Sequence, residues 1–189
     1  PLLAGLSELT FDARPEIRKS SLEVLFDTLR FHGHLFTTSF WDCVFDSVLF
    51  RIFDHVRSES LNDGRPLRGK DIDAWLYDTC THCLQLVVDL IIKFYQALSP
   101  ELINRFLNMV VSFIQRPHEN LASMGVAALV RFLSNGAPML TEEGWNNALG
   151  YVDEAVVGTL PNLRIIVAEK QELEDRNEGI AAVEGEDNA

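Results

Sequence analysis

The spacing of apolar residues between Trp41 and Val56 leaves this stretch one way to fold locally. Trp41, Val44, Phe45, Val48, Leu49, Ile52, Phe53 and Val56 recur at intervals of three and one. That spacing lines one side of a helix and scatters across both faces of a strand. The same helical period runs through most of the chain, and strand alternation is hard to find. In Phe11–Phe36, Pro15 suits a first helical position, because its fixed φ fits and its missing N–H would be an orphan anyway. Ile17, Ser21, Val24, Leu25, Thr28 and Leu29 then share a face, with Leu22 and Phe26 as a second apolar edge. Gly33 follows as an expected left-handed C-terminal residue.

Ser39 is the expected N-cap of the Trp41 helix, with Asp42 three residues on. Ser58–Asp71 has turn chemistry and charge without periodicity, so an exposed loop is expected over 58–71. A long helix is predicted from about Ile72 to Ala97. Ser99-Pro100-Glu101 then reads as N-cap, first-turn proline and dipole-favoured acid. The helix that follows carries Ile103, Phe106, Val110, Phe113 and Ile114. Pro117 separates it from one carrying Leu121, Met124, Ala128, Leu129, Phe132 and Leu133, closed by Asn135-Gly136. Thr141 with Glu142 and Glu143 opens a last helix through Trp145, Leu149, Val152 and Val156.

These helices carry a long repeat. Arg14–Trp41 and Arg116–Trp145 both open Arg-Pro, run through one amphipathic helix, reach a glycine and then a tryptophan. The separations are 102 residues for Arg-Pro, 103 for glycine and 104 for tryptophan. Two helical hairpins with one loop insertion produce such a period, which belongs to HEAT and armadillo arrays. The expected fold is therefore all-α, a HEAT/armadillo-like α-solenoid of antiparallel helix pairs over residues 1–161. An ordinary helical bundle is the alternative. Residues 162–189 form an acidic end expected to be disordered.

Charge and cysteine usage narrow the function. The net charge is −12, and residues 169–189 hold eight acids against Lys170 and Arg176, a net of −6. The remaining 20 acids and 14 bases also give −6. Nucleic acid is a poor partner for such a chain, and simple adsorption to anionic lipid is weakened. The most apolar run, Leu84–Leu98, is broken by Asp89 and Lys93, so no transmembrane segment is expected. The three cysteines form no disulfide framework, which favours a reducing, cytosolic setting. A start at Pro1, without Met or a secretory signal, suggests a piece of a longer protein.

Several segments in order, among them "PLLAGLSEL", "RPEIRKSSLEVLFDTLRFHGHLF", "FWDCVFDSVLFRIFDHVR" and "WLYDTCTHCLQLVVDLIIKFY", carry a family resemblance. With "VVSFIQRPHENLASMGVAALVRFLSNGAPMLTEEGW", they resemble the large brefeldin A-inhibited, Sec7-type Arf guanine-nucleotide-exchange factors, plant members above all. The similar region lies C-terminal to the Sec7 domain, in the segments called homology downstream of Sec7. In that family a glutamate of the Sec7 domain drives nucleotide release, and no segment here resembles that domain. The resemblance therefore implies a non-catalytic scaffold acting through protein contacts in Golgi and endosomal traffic. Its implied partners are a small GTPase of the Arf or related families and other parts of the same exchange factor. It also implies a cytoplasmic location, peripheral on trans-Golgi network or endosomal membranes, and no cofactor. A HEAT-repeat adaptor unrelated to Arf exchange is the alternative, and a small enzyme needs a deep pocket where ionisable side chains converge.

Cys80 and Cys83 lack a second ligand pair at zinc spacing and read as packed thiols. His32 and His34 straddle a helix end, where donor side chains are common. No phosphate-binding, dinucleotide, zincin or nucleophile-elbow motif occurs. The candidate contact residues are Arg14, Arg18 and Lys19 beside Pro15, with Arg116 repeating part of the cluster. An Asp12–Arg18 pair joining adjacent repeats is the structural expectation. An acidic partner surface is the functional one.

Overall fold

The computed structural model describes residues 2–59, 79–117 and 119–160. Of the loop predicted over 58–71, Ser58 and Glu59 are helical, the last residues of the helix Phe50–Glu59; its remainder, the predicted helix before Thr79 and the acidic end lie outside the described residues. The chain divides into two units, Pro1–Ala155 and Val156–Ala189. Every regular element among the described residues is helical. Apart from three short 3-10 turns, these are in order α1 (Leu2–Leu9), α2 (Pro15–His32), α3 (Thr38–Val44), a π-helical segment (Phe45–Leu49) and α4 (Phe50–Glu59). After them come α5 (Thr81–Phe94), α6 (Pro100–Ile114), α7 (Glu119–Gly136) and α8 (Glu142–Thr159). In the second unit, the described residues are the last turn of α8 and Leu160, whose N–H donates to the Val156 carbonyl at 3.0 Å.

Local chemistry starts several of these helices as expected. Pro15 opens α2, Ser99 accepts the Leu102 N–H at 3.1 Å ahead of Pro100, and Thr141 accepts the Gly144 N–H at 3.1 Å. The start of α3 differs. Thr37, not Ser39, is the cap, accepting the Phe40 N–H at 3.3 Å, and Asp42 instead accepts the Ser99 hydroxyl at 2.7 Å. Thr37, Thr38 and Ser39 offer three capping hydroxyls in a row. The choice falls on Thr37 because the preceding turn, closed by the Phe36 N–H on the Gly33 carbonyl, leaves Thr37 extended.

Gly33 corrects another expectation. It is right-handed, φ −59°, and continues into a short 3-10 turn over Gly33–Leu35. Glycine is required there by space: a Cβ would lie 2.6 Å from the rings of both Phe94 and Trp41. Trp41 is fully buried, its ring centre 4.9 Å from that of Phe94, tilted to it, and 5.1 Å from that of Phe36, edge to face. The glycine thus lets α2, α3 and α5 close on one aromatic cluster.

All seven described members of the Trp41 stripe, from Trp41 through Phe53, are buried. They stay on one side across the π-helical segment, whose wider turn leaves the Val48 carbonyl to accept the buried Ser7 hydroxyl of α1 at 3.1 Å. The inward face of α2 is rotated from the predicted one. Leu22, Leu25, Phe26 and Leu29 are its centre, and Val24 is half exposed. On α8 the predicted stripe also shifts, since Leu149 is exposed while Ala148 and Ala155 are buried.

The repeat survives in the burial pattern. On α2 and its end, Arg18, Ser21, Leu22, Leu25, Phe26, Leu29 and Gly33 are buried. On α7 the buried residues are Leu121, Met124, Gly125, Ala128, Leu129, Phe132 and Gly136. Each of the seven follows its counterpart by 103 residues. The two helices also pack alike, α2 against α1 and α5, α7 against α6 and α5. The α7 face carries Gly125 and Ala128 where α2 has Leu22 and Leu25, and at Gly125 its backbone lies close against α6. A Cβ on Gly125 would meet the Ile114 nitrogen and the Val110 oxygen at 3.0 Å.

Gly33→Ala is expected to lower stability by about 1–3 kcal/mol by overpacking, despite alanine's better helix propensity. Urea unfolding monitored by Trp fluorescence checks this, and a neutral or stabilising result contradicts the close approach described.

Candidate interaction surface

The predicted cations separate into different roles. Arg18 is buried and spent inside the fold. Its NH1 donates to the carbonyls of Asp12 (2.9 Å) and Ala13 (3.1 Å), and its Nε to the Thr79 hydroxyl at 3.2 Å. It therefore ties the α1–α2 turn to the start of the α5 region. The expected Asp12–Arg18 carboxylate pair is not formed. The Asp12 carboxylate turns to Arg14, accepting from its backbone N–H at 2.9 Å and from Nε and NH2 at 2.8 and 2.9 Å. Those bonds hold the Asp12 carboxyl well below the usual carboxylate range. Arg14, with 69% of its side chain accessible, and Lys19, with 72%, are the cluster's exposed cations. Lys19 stands 4.0 Å from Glu23, one turn on. Arg116 is half-buried in the turn after α6.

Other charged groups link helices. Arg131 of α7 grips Asp89 of α5 through two bonds of 2.8 Å, which raises the arginine pKa. Arg105 of α6 bonds to Asp46 in the π-helical segment and stands 3.6 Å from Asp42. Asn104 and Asn108 of α6 meet Asn147 and Tyr151 of α8 at 2.6 and 3.1 Å. None of these links was legible from one sequence, because each joins residues about 40 to 60 positions apart with no local pattern.

Cys80 and Cys83 are buried, and burial pushes the Cys80 thiol up to about 12 and the Cys83 thiol well above its ordinary value. They are protonated packing groups at neutral pH. Among the described residues no group of three or more metal-ligating side chains is gathered. A groove of about 400 Å³ beside α1 and α4 does gather Glu8, Arg51 and Asp54, a convergence the sequence did not foresee. All three are exposed, so their charges act through water, where they are strongly attenuated.

Residues 1–66 match the family described as the C-terminal region of Mon2 protein. Brefeldin A-inhibited guanine nucleotide-exchange protein 2 of Arabidopsis thaliana is 48% identical over 181 residues, covering 90% of this chain and 10% of that protein. The chain belongs to the brefeldin A-inhibited guanine nucleotide-exchange protein family. Member 4 of Arabidopsis thaliana is 32% identical over 183 residues, 93% of this chain and 11% of that protein. Member 1 of Homo sapiens is 24% identical over 162 residues, 86% of this chain and 8% of that protein. The chain thus spans about a tenth of the length of these family members. No solved structure matches it. No described helix is long and apolar enough to cross a membrane.

Arg18→Ala is expected to cost about 1–3 kcal/mol, since it strands buried partners, whereas Lys19→Ala stays within about 0.5 kcal/mol. Chemical denaturation of both variants distinguishes them. In the native state one thiol, exposed Cys43, is expected to react promptly with an aromatic disulfide reagent, and the other two only after denaturant is added. Prompt reaction of all three contradicts the burial of Cys80 and Cys83.

Proposed function

We propose that this chain is a non-catalytic helical scaffold of an Arf guanine-nucleotide-exchange factor, lying C-terminal to the Sec7 domain. It is part of a HEAT/armadillo-like array that positions or regulates the enzyme on trans-Golgi network or endosomal membranes through protein contacts. The observation that carries this is the 103-residue recurrence of one buried helix face, within a chain matched over nine-tenths of its length by an exchange protein. A face that recurs in register on two helices, α2 and α7, supports an array that extends by stacking. Arrays of this kind bind along their surfaces and need no enclosed pocket.

The proposed contact surface is the exposed part of the cation cluster, Arg14 and Lys19, with Arg116 at the corresponding turn of the second repeat. Arg18 supports it from beneath by fixing the carbonyls of Asp12 and Ala13. Its partner is a small GTPase of the Arf or related families, and membrane association is peripheral, through that partner.

Flotation with liposomes bearing membrane-anchored Arf-family GTPases tests this reading. Recovery of the chain is expected with GTP-loaded GTPase and not with the GDP form, and it is expected to fall several-fold in an Arg14→Glu/Lys19→Glu variant. Flotation independent of nucleotide, or none with any GTPase, overturns recruitment as the role of this segment.

A further inference from the structure

The C-terminal ends of α2 and α5 border a shallow, open groove of about 540 Å³ lined by Asp27, Thr28, Arg30, Phe31, His32 and Lys93. Three observations set it apart. First, among the described residues its cations are incompletely served by acids. Both oxygens of Asp89 are bonded at 2.8 Å by Arg131, and Arg30 comes no nearer than 3.8 Å to Asp89 and 3.9 Å to Asp27. Those separations exceed hydrogen-bond distance. Lys93 donates to a carbonyl, that of Arg30, at 2.9 Å, and lies 5.3 Å from the Phe94 ring centre. Second, Phe31 presents its ring to water at 72% exposure, more than any other large apolar side chain described. Third, the fold does not call for an aromatic ring there. The residue 103 positions on, at the matching place on α7, is Ser134, also exposed.

We propose that this groove docks an acidic, apolar peptide segment of a partner protein. An apolar side chain of the segment covers Phe31, and a neighbouring carboxylate bridges Lys93 and Arg30. Each bond made this way is charge-assisted, and the ring excludes water beside it. A chain of net charge −12 is repelled by an anionic membrane as a whole. A narrow carboxylate-bearing segment meets the two local cations without bringing a broad negative surface close. Lys19 lies about 18 Å away along the same helix, by the rise of 1.5 Å per residue. This docking site is therefore separate from the surface proposed for the GTPase, and either can fail alone.

The test is fluorescence anisotropy on the full 189-residue chain with a set of short labelled peptides. These combine Glu or Asp with Leu or Phe in helical and in extended spacing. Saturable binding is expected for at least one, weakened about tenfold or more by Lys93→Glu and by Phe31→Ser. Arg51→Glu, the same charge reversal at an exposed position on α4, is expected to leave it unchanged, and circular dichroism melts of all three variants match the parent chain. Absence of saturable binding across the set overturns the proposal. Equal weakening by Arg51→Glu overturns it in favour of general charge attraction. Binding to phosphatidylcholine–phosphatidylserine vesicles, lost in Lys93→Glu but with no peptide bound, overturns it in favour of a lipid contact.

Discussion

The missing side chain of Gly33 is the constraint from which the rest of the packing extends. Where α2 gives way to its 3-10 turn, the rings of Trp41 and Phe94 occupy the space a Cβ would fill. Trp41 anchors the helical run that begins at α3, and Phe94 ends α5, so one absent methyl allows two consecutive helices, α2 and α3, to meet a third from a distant part of the chain. Trp41 is fully buried at that junction, and its indole N–H has no acceptor among the described residues. An unpaired buried donor costs free energy. Contact with Phe36, Phe45 and Phe94 offsets that cost by burying a large aromatic surface.

The second repeat reuses the scheme with smaller residues. Gly136 stands where Gly33 does, yet a Cβ there would meet Ile92 at an ordinary 3.8 Å. The tight approach has moved to Gly125, against the backbone of α6. The buried positions are kept while the closest contact moves, since α2 and α7 pack against different neighbours, α1 and α6. Between the repeats, α5 packs on α2 and α7 alike, and its Asp89 faces Arg131 closely and Arg30 more distantly. Part-buried and bidentate, the Arg131 bond orients α7 on α5 more than it stabilises either helix.

The cation cluster shows how little of an interaction surface a single sequence discloses. Arg14, Arg18 and Lys19 are neighbours in the chain and read as one basic patch. In the fold they divide, because helix geometry turns Arg18 inward to the orphan carbonyls of the preceding turn while Lys19 faces water. The Asp12 carboxylate went to Arg14, two residues away, since the turn between α1 and α2 holds those groups side by side. Phe31, Arg30 and Lys93 were invisible as a group: Lys93 is 63 positions from Arg30, and its place beside α2 is a product of α5 docking.

Local sequence was enough to specify the helices, most of their starts, the proline, serine and threonine signals that open them, and the 103-residue recurrence. Those are consequences of backbone geometry and of apolar spacing, which act over a few residues. Family membership was legible too, through residues kept in order along most of the chain. Which side of α2 and α8 faces inward, and which of three adjacent hydroxyls caps α3, emerged with the packing. So did the reason Gly33 is glycine and the division of the cations between interior and surface. Each depends on what lies across the interface, and the choice between near-equal local options is made by contacts between residues far apart in the chain.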